Sequence, residues 1–170
     1  SMWAHQFGEA LHTSDSLGLD RFQTMQNHYN LAYREEEREM LPLCRREGIG
    51  VVPWSPLARG YLARPHEDLD ATTRGETDSY LSDRERVYRS RGGEEINERV
   101  EELAAEKGVK MAQIALAWLL HQDAVDAPIV GTTSVEHLED AVEALELSLS
   151  DSELAYLAEP YEPHPVTGHK

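Results

Sequence analysis

Gly48-Ile49-Gly50-Val51-Val52-Pro53-Trp54-Ser55-Pro56-Leu57-Ala58-Arg59-Gly60 is the stretch on which the reading of the fold turns. Gly48 supplies the stop of a helix predicted over 34–47, where Met40, Leu41, Leu43 and Cys44 share one face. Ile49 to Val52 then reads as a short buried strand, and Pro53 and Pro56 end it because neither proline can donate to a ladder. The strand therefore runs from a helix stop to an aromatic residue at its carboxyl end.

The same order recurs on either side. Upstream, Phe22 and Met25 lead into the polar run Gln26-Asn27-His28-Tyr29-Asn30, which suits a buried strand ending at a solvent-facing rim. Glu35-Glu36-Glu37 reads as an acidic helix start. Downstream, 58–93 is rich in arginine and acid with weak periodicity, the length of a functional loop or lid, and is expected to be the most mobile segment. Gly92-Gly93 reads as a linker. Helices are predicted over 94–106 and 111–121. Pro128-Ile129-Val130 reads as a third buried strand, feeding a helix that starts at Ser134 and runs to about Ala144. A last helix is predicted over 147–157, capped near Ser150 with Glu153 in the capping-box position. Repeated strand, polar rim and helix is an α/β pattern of parallel strands covered by helices, whose closed form is the TIM barrel.

At 170 residues the chain is long enough for one domain, whereas a complete (β/α)8 barrel takes about 250. The expectation is a single partial domain over 1–170. With 32 acidic residues against 16 basic, the net charge of −16 argues against nucleic acid and anionic membranes as partners. Only Lys107, Lys110 and Lys170 are lysines, so the surface is acidic and arginine-based. Such a surface suits a high-salt cytoplasm, and an acidic mesophilic protein fits it too. Cys44, the one cysteine, excludes an internal disulfide and reads as a core residue. No apolar run reaches a membrane-spanning length and no signal-peptide pattern opens the chain, so a cytoplasmic location is expected. The histidines show no metal-ligand spacing, and no metal site is proposed.

Four stretches, taken in order, resemble the aldo-keto reductases: Ser1 to Phe7, Met25 to Asn30, Pro53 to Gly60, and Gly131 to Leu138. The resemblance covers the whole chain and matches the fifth to eighth strands of that family's barrel, which implies the C-terminal half of a (β/α)8 TIM barrel. Trp-Ser-Pro-Leu-Ala and the closing Pro160 to Pro165 look typical of the family's bacterial and archaeal branches. The family reduces aldehydes and ketones to alcohols with a nicotinamide cofactor.

The resemblance implies site residues as well. Gln26 and Ser1 would contact the nicotinamide carboxamide, and Trp54 would lie against the nicotinamide ring. Ser55, Leu57 and Arg59 match the loop that wraps the pyrophosphate. Gly131, Thr132, Thr133 and Ser134 form the turn for the adenosine phosphate, at a helix start that also carries His137 and Asp140. Gly131 and His137 stand where the family often has a lysine or arginine for a 2′-phosphate, so the expected cofactor is NADP with NAD as an alternative. The family's catalytic aspartate, tyrosine, lysine and histidine lie on its first four strands, so none is assigned here and the chain alone is expected to be inactive. Two other readings stand beside this one: a non-catalytic dinucleotide-binding or regulatory subunit, and an unrelated half barrel with a phosphate ligand. The expected partners are a dinucleotide, a small carbonyl substrate, and either a missing N-terminal half barrel or a second copy of the chain.

Overall fold

Gly48 does end a helix. It adopts a left-handed φ of 67°, and the amides at 48 and 49 cap the carbonyls of Arg45 and Cys44. The computed structural model describes residues 1–67, 87–167 and 169. The helix, α2 (Met40–Glu47), is shorter than the 34–47 span that the apolar spacing predicts. Pro42 is the reason. It has no N–H to donate and its ring crowds the carbonyl four residues earlier, so it is tolerated only in a first turn. Glu35–Glu37 forms a separate 3-10 turn.

Strands β1 (Thr24–Met25) and β2 (Gly50–Val51) pair in parallel, Thr24 opposite Gly50 and Met25 opposite Val51. The pairing continues beyond them, because the Trp54 amide donates to the Asn27 carbonyl at 2.8 Å. On the other side of β2, the amide of Asp126 donates to Val51 O at 3.0 Å and that of Ile129 to Pro53 O at 2.8 Å. Both residue numbers rise together, so 126–129 runs parallel to β2. The expected third strand is thus a hydrogen-bonded extended segment without a regular ladder, and Ile129 is 42% exposed instead of buried. The first two strands are also buried on one face only: Met25 and Val51 are covered while Thr24 is exposed.

Helices account for the covered face. Helix α1 (Ala4–Leu17), which the sequence reading did not anticipate, buries Phe7, Leu11 and Ser14 and stops at left-handed Gly18. Helices α3 (Gly93–Lys107) and α4 (Met111–Leu120) fall where the apolar spacing puts them. So does α5 (Val135–Glu143), which runs into a 3-10 turn over Ala144–Glu146. Helix α6 (Asp151–Ala158) begins at 151, not 147, because Ser150 caps it: Ser150 Oγ accepts from the Glu153 amide, and the Ser150 amide donates to Glu153 Oε2 at 2.6 Å. Among the described residues, no helix is long and apolar enough to cross a membrane.

The loop expected over 58–93 is partly structured. Ala58–Ala63 forms a kinked 3-10 segment, and 68–86 lies outside the described residues. Gly92-Gly93 is a packing joint, not a linker. Gly92 has φ +80°, and a Cβ on either glycine would collide with backbone, at Pro160 O and at Tyr88 O respectively. The glycines therefore let the start of α3 pack directly against the turn after α6. Parallel segments with helices on one face are the layout of a partial (β/α)8 barrel, an α/β fold.

Candidate functional site

In a barrel of this kind, function gathers at the carboxyl ends of the strands. Here that rim consists of the residues after β1, after β2 and after 126–130. The run after β1 does not face solvent as expected. Gln26 is exposed, but Asn27, His28, Tyr29 and Asn30 are buried. Each has a partner. The Asn27 side-chain amide donates to Glu36 Oε2 at 2.8 Å, Tyr29 Oη to Glu37 Oε1 at 2.7 Å, and Asn30 Nδ2 to the Ser55 carbonyl at 2.9 Å. Burial pushes the Tyr29 phenol far above its ordinary range, and the Glu37 carboxylate adds to the effect. Tyr29 is thereby a neutral donor and not an acid.

Three candidates from the sequence come together at one corner. The Trp54 indole N–H donates to Ser1 Oγ at 3.0 Å, and Ser1 Oγ lies 3.4 Å from the Gln26 carbonyl. An indole face, a hydroxyl and the Gln26 backbone carbonyl offer neutral donors and acceptors, which suit a planar carboxamide and not a metal ion. One face of Trp54 is covered. The His28 imidazole stacks on it at 4.2 Å between centroids and 13° between planes. His28 is itself stacked on Tyr33 on its other side, at 4.1 Å and 12°, and its Nε2 lies 2.7 Å from Tyr88 Oη.

The next loop is shaped by its backbone. Ser55, Ala58 and Arg59 have φ of 53°, 49° and 60°, in the left-handed region that non-glycine residues rarely occupy. The bend is held by the Asn30 contact and by the Ala58 amide donating to Ser55 O at 2.9 Å. Leu57 is half-buried behind it, and Arg59 is exposed. Left-handed residues turn successive amides to one side, which is how backbone cradles anions.

The third candidate group is only partly available to a ligand. Thr132 Oγ1 accepts from the Ser134 amide at 3.1 Å and donates to the Ser134 carbonyl at 3.0 Å, so one amide expected to be free is engaged within the turn. Gly131 and Thr133 are exposed beside it, and His137 is exposed on α5. Asp140 is held by Lys110 Nζ at 2.9 Å, together with Glu136 at 2.7 Å. The hydrogen bonds to these two carboxylates raise the Lys110 pKa.

Sequence reasoning missed the supporting groups: Asn30, His28, Tyr88 and Glu36. Glu35-Glu36-Glu37 is no dipole-stabilised helix start, since Glu35 and Glu36 are buried. Glu35 Oε1 accepts from Tyr161 Oη at 2.8 Å and from the His164 amide at 2.6 Å. Cys44 is buried, and burial lifts its thiol to about 11. Among the described residues, no group of three His, Cys, Asp or Glu is arranged to hold a metal.

A family model described as "Aldo/keto reductase family" matches residues 9–162. This chain belongs to the aldo/keto reductase family. It is 47% identical over 168 residues to a Schizosaccharomyces pombe protein named as an aryl-alcohol dehydrogenase, covering 99% of this chain and 46% of that relative. An aldo-keto reductase of Alternaria alternata is 42% identical over 169 residues, covering 99% of this chain and 44% of its own length. The versiconal hemiacetal acetate reductase of Aspergillus parasiticus is 42% identical over 166 residues, covering 98% and 48%. The chain thus spans about half the length of the curated relatives it matches. These relatives are fungal, and they lend no support to the expected bacterial or archaeal branch.

Proposed function

We propose that the chain supplies the cofactor-binding half of an NAD(P)H-dependent aldo-keto reductase that converts aldehydes or ketones to alcohols. The observation that carries this reading is the corner formed by Ser1, Gln26 and Trp54, beside the left-handed loop at 55–59. Bound there, a reduced nicotinamide would supply a hydride to a carbonyl carbon. Ser1 and Gln26 orient the carboxamide, and Trp54 covers one face of the ring. Backbone amides at Ser55, Leu57 and Arg59 and the Arg59 guanidinium pair with the pyrophosphate. Residues 131–134 hold the adenosine phosphate, with His137 and Asp140 beside them. NADP is the proposed cofactor and NAD the alternative, because neither Gly131 nor His137 is a fixed cation. The relatives' names, an aryl-alcohol dehydrogenase and a hemiacetal acetate reductase among them, support a carbonyl and alcohol pair as the substrate class. No residue of this chain is assigned as the proton donor. The reading includes a cytoplasmic location, in keeping with the single reduced cysteine and the acidic surface.

The test is a titration of the chain with NADPH, followed by tryptophan fluorescence. Trp54→Ala removes a stacking contact worth about 0.5–1.5 kcal/mol, so Kd is expected to rise roughly two- to tenfold. Unchanged affinity in that variant would remove Trp54 from the site, and no saturable binding of any dinucleotide would sink the reading.

Self-association belongs to the same proposal. Val135, Leu138, Val142 and Leu145 make a stripe at helical spacing along α5 and the turn after it, each more than half exposed. Such a face is covered either by the N-terminal half barrel or by a second copy. In sedimentation at high salt, which screens the −16 charge, the chain alone is expected to show concentration-dependent association. A monomer at every concentration, with a sharp thermal transition, would overturn this expectation.

A further inference from the structure

We infer that His28 is a positioning residue for Trp54: it stacks on the indole and fixes the orientation in which the ring meets the nicotinamide. The inference rests on the cofactor reading above and extends it to a residue which that reading leaves unassigned. His28 is buried, 2% exposed, and lies opposite Trp54 as a parallel bridge partner. Residues directly opposite in adjacent parallel segments send their side chains to the same side of the sheet, and here the two rings lie nearly parallel in stacking contact.

The stack has depth. Tyr33 lies behind His28 at 4.1 Å, and Tyr88 meets the imidazole edge-on at 5.9 Å while its hydroxyl shares a 2.7 Å hydrogen bond with Nε2. Tyr61 stacks on Tyr88 at 6.1 Å. Tyr33 is fixed in turn, since its hydroxyl accepts from the Thr167 amide at 2.9 Å. Trp54 is therefore held at its amide by Asn27, at its indole N–H by Ser1 and on one face by His28. The imidazole opposes rotation of the indole about its side-chain bonds by occupying the space into which the ring would turn. A ring held in one orientation loses no rotamer entropy when a ligand stacks on it, which is how a residue out of contact with the ligand contributes to affinity.

The consequence is confined to one end of the dinucleotide. His28→Ala is expected to weaken NADPH binding by roughly three- to tenfold and to leave adenosine 2′,5′-bisphosphate, which has no nicotinamide, unaffected. His28→Phe, which keeps a flat ring in the stack and gives up the Tyr88 hydrogen bond, is expected to restore NADPH affinity to within about twofold. A purely structural loss would weaken both ligands together. The experiment measures both ligands by calorimetry on the full chain. It also follows the Trp54 indole N–H resonance, assigned with Trp54→Phe, which His28→Ala should shift and broaden and His28→Phe should return. If His28→Ala leaves the indole resonance and NADPH affinity unchanged, or weakens both ligands equally, the positioning role is overturned. If the unaltered chain binds no dinucleotide, the cofactor reading falls, and the indole resonance alone then decides whether His28 holds Trp54.

Discussion

Replacing Arg34 with alanine is expected to lower stability by about 2–4 kcal/mol, the largest single-residue loss outside the apolar core. The guanidinium bonds both oxygens of Glu37, from Nε at 2.7 Å and Nη2 at 2.9 Å, and donates through Nη1 to the Ala158 carbonyl at the end of α6. It also lies over the Trp118 and Tyr161 rings at 5.4 and 5.1 Å. Its side chain is 19% exposed, so the pair is partly desolvated and lies toward the costly end for removal of one partner. Alanine would leave Glu37, the acceptor of the Tyr29 hydroxyl, without its cation and would remove the direct tie between the end of α6 and the turn after β1. Lysine keeps the charge but loses the two-pronged contact and the flat stacking surface, so it should recover less than half of the loss. Urea unfolding gives the magnitude, and amide exchange over 151–167 locates it. Equal stability of Arg34→Lys and the unaltered chain would show that charge alone matters and that the planar contacts do not.

Arg34 also marks where sequence reading stops. Elements with local signals were legible: Gly48, Gly108 and the Ser150/Glu153 cap lie at helix ends as their chemistry demands. Helix α1 was not, because Trp3 stands at its N-cap, where a short polar residue is usual, and Gly8 interrupts its interior. Pro42 was visible, but the apolar spacing on either side of it suggested a single helix. Burial of Asn27 to Asn30 and of Glu35 and Glu36 was hidden for a different reason. Polar residues read as exposed unless their partners are known, and these partners lie far off in the sequence, 129 positions away in the case of Glu35 and His164.

The candidate site shows the same division. Trp54 and Gln26 could be singled out because a strand end can be recognised locally and the order of motifs resembles a family. That Ser1 bonds to the Trp54 indole could not be read, since the contact joins residues 53 positions apart. Nor could the pair of Thr132 and Ser134 be foreseen as self-satisfying: a free amide and one turned back onto its own hydroxyl carry the same sequence.

Glu36→Gln should stabilise the protein at neutral and alkaline pH while leaving it nearly unchanged near pH 4.5. The Glu36 side chain is 2% exposed, and burial raises its pKa from 4.5 to about 7, opposed by the Asn27 hydrogen bond. A carboxyl whose folded pKa is raised contributes its full stability below the unfolded value and loses it as pH climbs through the folded value. The window is therefore about pH 4.5 to 7, and a rise of that size corresponds to roughly 3 kcal/mol. Glutamine imitates the protonated acid: its carbonyl can accept from Asn27 Nδ2, and its amide can donate toward His169 Nε2, which lies 3.1 Å from Glu36 Oε1. The charge of that histidine is the alternative explanation to exclude. Burial and the nearby amino terminus push His169 below its ordinary range, so at pH 8 it is neutral and offers the carboxylate no counter-charge; the amino terminus draws the Glu36 pKa down and Glu35 alongside raises it, both smaller than the effect of burial. Chemical unfolding of both proteins from pH 4.5 to 8.5 should give a stability difference that grows with pH and levels off above about pH 7.5. A difference that stays constant across this range would mean that Glu36 is ionised throughout in the folded protein, with His169 as its protonated partner.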